Sequence, residues 1–350
     1  MTRTIGALAL VAALALGASA CARGSSSGGE AQLMDLYAAG PAVADVRSLL
    51  GDSSWWPGPP SFGVRPLDSV AMPFQERFHV IHRFVHLGTA ETFDVEFTLW
   101  DSTSAATTQM SNVKAAFGTS ASGPKVGDQV LYYGSQTQGA APFVTATFVR
   151  VGQVVTTISL GLKDAFPKVA RLGKIATKVV SRLKDALSRK VRVSPLPWSD
   201  QALLPPAGPD LTLLGAVRLP IEAVVVMFGY AAPESLANSF HGGGVDTIVF
   251  GDYALDNDTH MEVRAGVFTF LTRQDASDWL DALRGSTALD VDGIATFYDG
   301  GSGQYFSLFK AGKQGAMLVC RSTSDVEAAS RACESPLTRV APAWELKLGG

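Results

Sequence analysis

Two rhythms alternate along this chain: a two-residue one rich in β-branched and aromatic side chains, and a three-to-four-residue one built on alanine, valine and leucine. Ahead of both, Ile5 to Leu16 is apolar without interruption, and no regular pattern follows it for some distance. Phe78 to Leu87 and Phe93 to Trp100 carry the composition that half-buried strands require. Asp101 and Ser102 are then good helix N-caps, and Ala105, Ala106, Met110, Val113 and Phe117 recur at helical spacing before Gly118 stops the run. Gly123-Pro124 opens a turn, Val126 to Tyr133 reads as a strand, and Phe143 to Val151 with Gln153 to Leu160 reads as an antiparallel hairpin around Gly152. A long helix is expected from Pro167 to about Leu187, with Val169, Leu172, Ala176, Val179, Leu183 and Leu187 along one stripe.

The second half repeats this plan. Phe97 to Asp101 lines up with Phe268 to Thr272, and in the same register Ala105 falls on Ala276. Thr272 and Asp275 make a variant capping box, Gly285 ends the helix, and Val291 to Tyr298 matches Val126 to Tyr133. Tyr305 to Lys310, turning at Gly312 into Ala316 to Cys320, matches the earlier hairpin, and Ser324 with Glu327 caps a last helix. The expected class is α+β, as two similar units, each a mainly antiparallel sheet with helices packed on one face. Residues 45–193 form the N-terminal domain, 194–210 a proline-rich linker and 211–350 the C-terminal domain.

Composition fixes the compartment. The chain has 350 residues, a formal net charge of −3, high apolar content and three cysteines. So weak a charge argues against nucleic acid as a partner. Arg3, the apolar run and Gly17-Ala18-Ser19-Ala20-Cys21 have the form of a secretory signal over residues 1–20. The apolar run is too short for the roughly 20 residues a spanning helix needs, so no permanent transmembrane helix is expected. Small residues ending in a cysteine resemble the lipobox of bacterial lipoproteins, which implies a lipid on Cys21; Ala18-Ser19-Ala20 would equally serve an ordinary signal peptidase. Residues 21–44, with Ser25-Ser26-Ser27-Gly28-Gly29, then read as the lipidated cysteine and a flexible tether. If Cys21 takes the lipid, Cys320 and Cys333 are left to pair in an oxidising compartment, joining a strand to the helix that covers it.

Candidate chemistry is sparse. His79, His82 and His86 would share a helix face, but their neighbours favour a strand, on which His82 and His86 point one way about 13 Å apart at ~3.3 Å per residue, while His79 points the other. Asp256, Asp258, His260 and Glu262 alternate and could line one face around a cation, or open a turn onto a solvated face. Ser307 and Lys310 match S-x-x-K but lie in a strand-like segment, and Gly300 to Gly303 reads as a hairpin loop. Along the helix near 170–190, Arg171, Lys174, Lys178 and Arg182 make a basic stripe that could rest on anionic lipid or an acidic wall polymer, or simply be solvated.

Taken whole, the chain resembles the uncharacterised envelope lipoproteins of actinobacteria, and its halves resemble extracellular sensor domains of actinobacterial Ser/Thr kinases. The residues behind this are the leader with Cys21, strand-helix units such as Phe97 to Phe117, and hairpins such as Val126-Gly127-Asp128-Gln129 to Tyr133 and Phe148 to Val154. The resemblance implies a non-catalytic role at the outer face of the membrane; the expected protein is a membrane-anchored binding or sensor-like module on the extracytoplasmic face, with no cofactor expected and envelope proteins as candidate partners. The alternatives are a hydrolase of wall or lipid substrates without a recognisable motif, and a structural subunit of an envelope complex.

Overall fold

The computed structural model describes residues 31–63, 76–89, 91–135, 143–193, 196–206, 208, 211–227, 238, 240–255, 258–284, 289–299, 304–322 and 326–349. The leader, Cys21, Asp256, Gly285, Ser324 and the loop at 300–303 lie outside them, as do the side chains of Asp258 and His260. Contacts divide the chain into two units, Met1–Trp55 with Val64–Arg192, and Trp56–Gly63 with Val193–Gly350. Eight residues from the first half of the sequence thus count with the second unit.

The elements of the first unit are α1 (Leu33–Ala39), α2 (Val43–Leu50), β1 (Trp55–Pro57), β3 (Glu76–His86), β4 (Thr92–Trp100), α3 (Thr103–Phe117), β5 (Gln129–Ser135), β6 (Phe143–Val151), β7 (Val154–Leu162) and α4 (Val169–Leu187). The second unit holds β2 (Ser61–Gly63), α5 (Trp198–Gln201), β8 (Leu211–Leu219), α6 (Ile221–Met227), β9 (Val245–Leu255), β10 (Asp258–Phe270), α7 (Arg273–Leu283), β11 (Leu289–Val291), β12 (Ile294–Asp299), β13 (Gln304–Ala311), β14 (Gln314–Ser322) and α8 (Val326–Gly349). The first sheet runs β1-β3-β4-β7-β6-β5 and the second β11-β12-β13-β14-β10-β9-β8. Read in opposite directions these are one plan, a leading hairpin beside the last strand of a three-strand meander, so the α+β class and the two similar units are present.

The register of the repeat needs correcting by one residue. Ser102 caps α3 by accepting from Ala105 N at 3.0 Å, and Thr272 caps α7 by accepting from Asp275 N at 3.1 Å, within the expected capping box. These caps, and the strand ends Trp100 and Phe270, set Phe97 against Val267 rather than Phe268. Because strand side chains alternate between faces, matching Phe97 to Phe268 would put the core on the wrong side of the sheet.

Helices occupy both faces of the second sheet, where one face was expected. On one side Cys333, Leu337, Ala341 and Trp344 of α8 pack on Val263, Ala265, Val267, Leu318 and Phe309. On the other, Leu280 and Trp279 of α7 meet Ala295, Leu308 and Met317. Trp279 stands directly over Gly315, where an added Cβ would lie 2.7 Å from its ring. A sheet whose strands are apolar on both sides needs two covers, and each unit supplies them in the same order, a short helix after its second long strand and a long helix after its last.

A short helix also precedes each sheet. In the second unit, the segment around α5 is fixed from α8, where Trp344 Nε1 donates to Leu203 O and Lys347 Nζ to Leu204 O, both at 2.7 Å. In the first unit this place is taken by α1, which packs on α4 with Leu36, Tyr37, Ala38 and Ala39 buried. The expectation of a flexible tether up to residue 44 is corrected here: its last part is helical.

Candidate functional site

The histidines lie on β3, as their strand-like neighbours require, and each has its own partners. His79 Nδ1 lies 2.7 Å from Glu76 Oε1. His86 Nε2 is 2.9 Å from Asp52 Oδ2, with Thr89 Oγ1 at 2.8 Å from its other nitrogen and Trp55 edge-on to the ring. The bond from His86, together with the Ser54 N–H, holds the Asp52 carboxyl down at about 2. Among the described residues no group of three or more His, Cys, Asp or Glu converges as a metal would need.

His82 differs from the other two. Its Nε2 lies 3.3 Å from Leu36 O, and its ring meets Tyr37 of α1 and Phe97 of β4 edge-on, at 6.0 and 5.9 Å. Gly40, just past α1, rests on the imidazole, since an added Cβ would come within 2.3 Å of the ring. Burial is the main cause that pulls His82 down to about 4, and the Arg182 guanidinium adds to it.

The basic stripe of α4 is divided by what packs on it. Arg171 Nη2 donates to Leu50 O of α2 at 2.5 Å, and Arg182 is turned inward with its Nε buried and lacking a hydrogen-bond partner among the described residues. Lys174 and Lys178 are exposed, Lys178 with its Nζ 3.5 Å from Asp45. The stripe is therefore part seam and part surface.

In the second unit Glu262, read from the sequence as one of four alternating polar residues, is fully buried. Burial alone would raise its carboxyl, but Arg264 and Arg321 beside it hold it below the ordinary carboxylate range. Arg321 Nε donates to one carboxylate oxygen. Arg264 Nη2 and the Phe62 N–H reach the other, at 3.3 and 3.1 Å, while Arg321 Nη2 donates to Phe62 O at 3.4 Å. This pair thus grips both backbone groups of a residue in the Trp56–Gly63 segment, a structural role rather than a cation site. Ser307 is buried beside Thr296 Oγ1 while Lys310 is exposed on the opposite face of β13, which rules out the S-x-x-K geometry.

Cys320 of β14 and Cys333 of α8 are joined in a disulfide, with Cα atoms 5.8 Å apart and both residues buried. Among the described residues no helix is long and apolar enough to cross a membrane.

No protein-family model matches the chain, and no curated protein matches it in sequence. A solved structure, the extracellular domain of PknH from Mycobacterium tuberculosis, is similar over 45% of this chain and 100% of its own, at 12% identity and a TM-score of 0.35. A likeness at that score carries no argument about fold or function.

Proposed function

We propose that the protein is an exported lipoprotein, anchored through Cys21 on the extracytoplasmic face of the cell membrane, and that it works as a non-catalytic binding or sensor-like module of the cell envelope. The observation that carries this reading is the cysteine balance. Cys320 and Cys333 are joined to each other, which leaves Cys21, at the end of an apolar leader, as the odd one of three. The engaged histidines and the Arg-held Glu262 support the non-catalytic part, since His82, His86 and Glu262 each make structural contacts within the protein. Contact with anionic lipid or an acidic wall polymer falls to Lys174 and Lys178, because Arg171 and Arg182 face the packed seam.

Intact-mass measurement of the protein from its own membranes tests the anchor. The expected species begins at Cys21 and carries a diacylglyceryl group, and Cys21→Ala moves the protein to the soluble fraction. A mature chain with an unmodified Cys21, or a full-length chain recovered from cytosol, overturns the reading.

A further inference from the structure

The seam between α1 and the rest of the first unit holds a titratable imidazole, that of His82. Near the C-terminal end of a helix the carbonyls lack intrahelical partners, and Leu36 O of α1 finds His82. In a neutral imidazole that gives its Nε2–H to this carbonyl, Nδ1 carries no proton and is where a second one would go. Around that ring lie Tyr37 and Gly40 from the α1 side, Phe97 from β4, and Val80 and Phe84 on the same face of β3. From α4 comes Arg182, a cation with a buried Nε that has no hydrogen-bond partner among the described residues. The nearby carboxylates are directed elsewhere: Asp35 of α1 to Arg189 at 4.0 Å, Asp45 of α2 to Lys178 at 3.5 Å, and Asp52 to His86 at 2.9 Å. A second proton on His82 would thus set a cation in an apolar pocket beside another cation.

We propose that His82 is the latch of a pH-dependent closure: neutral, it holds α1 on α4; protonated, it releases α1 and bares the surface beneath. That surface is apolar where Leu36, Tyr37, Ala38 and Ala39 now cover it, and it gains a basic edge as Asp35 leaves Arg189. The inference does not depend on the anchor at Cys21, and it can stand or fall separately.

The sign follows from the two states. Docked, His82 is held near 4; released, it returns to the ordinary 6.5, so the released form takes up protons first as pH falls. The contribution of His82 to docking is therefore present above pH 6.5 and weakens downward, by about 20-fold between pH 7 and pH 5. Hydrogen exchange of the full chain, corrected for the intrinsic pH dependence of amide exchange, reads this directly. The expected result is that protection over 33–40 falls by that factor while β4 and α3 are unchanged. His82→Gln keeps a donor for Leu36 O without titrating, and it should flatten the response. Protection that ignores pH in the wild type, or an equal response in H82Q, overturns the proposal. Should H82Q fail to fold, histidine resonances of the wild type decide: a His82 that titrates below the ordinary 6.5 and in step with the α1 amides supports the latch, and one that titrates while α1 stays unchanged overturns it.

Discussion

Each unit has a short helix ahead of its strands that must be fixed over a sheet face beside a long closing helix, and the two units fix it with different chemistry. In the first, the donor is an imidazole rising from the sheet, His82 to Leu36 O. In the second, the donors come from the closing helix, Trp344 to Leu203 O and Lys347 to Leu204 O. The corrected register shows what stands in place of His82. Val95 and Ala265 are equivalent, and their partners on the neighbouring strand are His82 and Gly251. Over Gly251 the side chains of Tyr253 and Leu204 close so tightly that a Cβ would lie 2.9 and 3.0 Å from them. The second unit further ties its closing helix to the sheet through Cys320–Cys333, where the strands and closing helix of the first carry no cysteine. Neither an indole nor an ammonium gains a proton as the solution turns acid, so one topology yields an acid-sensitive attachment in one copy and an acid-indifferent one in the other.

The comparison can be broken most forcefully at Glu262. Glu262→Ala takes their shared carboxylate from Arg264 and Arg321 and removes the bond from the Phe62 N–H to Glu262, and should cost the second unit about 3–5 kcal/mol in urea unfolding followed by exchange in each unit. A loss confined to the first unit would contradict the assignment of Trp56–Gly63. Next, replacing Cys320 and Cys333 together by serine removes the staple that distinguishes the second closing helix, at about 3 kcal/mol for a loop of this length; unchanged stability would mean that the closing helices are held equally well without it. The third measurement is pH itself. Because folding depresses the His82 pKa, its stabilising contribution is present above pH 6.5 and is lost as pH falls toward 4, about 2 kcal/mol between pH 7 and pH 5, in the first unit alone. The smallest effects sharpen the repeat: Ser102→Ala and Thr272→Ala should each cost about 1 kcal/mol, with the larger loss at Thr272, whose hydroxyl also donates to Asp275 Oδ2 at 2.6 Å.

Much of this was legible in the sequence because it is local. The hairpins turn at Gly152 and Gly312, both with positive φ, and α4 ends at Leu187 as its stripe predicts. The strand reading of the histidine segment separates His79 from His82 and His86 without any structure. The repeat is legible too, but the shared letters Phe97 and Phe268 place it one residue out of register with the caps Ser102 and Thr272, and a cap is the better ruler when helix starts are compared. The missed features all depend on distant partners. Helix α1 has seven residues, too few for a period to show, and its burial comes from α4 and from His82, 46 residues beyond Leu36. Glu262 alternates with acidic neighbours as a solvated residue would, and the groups that claim it instead, Arg321 and Phe62, are 59 and 200 residues away.

That last separation bears on how the molecule can be made. Phe62 leaves the ribosome 200 residues before Glu262, so the carboxylate's backbone partner is synthesised long before the acid that will grip it. A gene fragment starting at the codon for Val193 would encode every strand from β8 to β14 together with Arg264 and Arg321, and still leave Glu262 without the Phe62 N–H and Arg321 without the Phe62 carbonyl. Supplying the peptide Trp56–Gly63, grafted or added in solution, would return both Phe62 contacts to the second half.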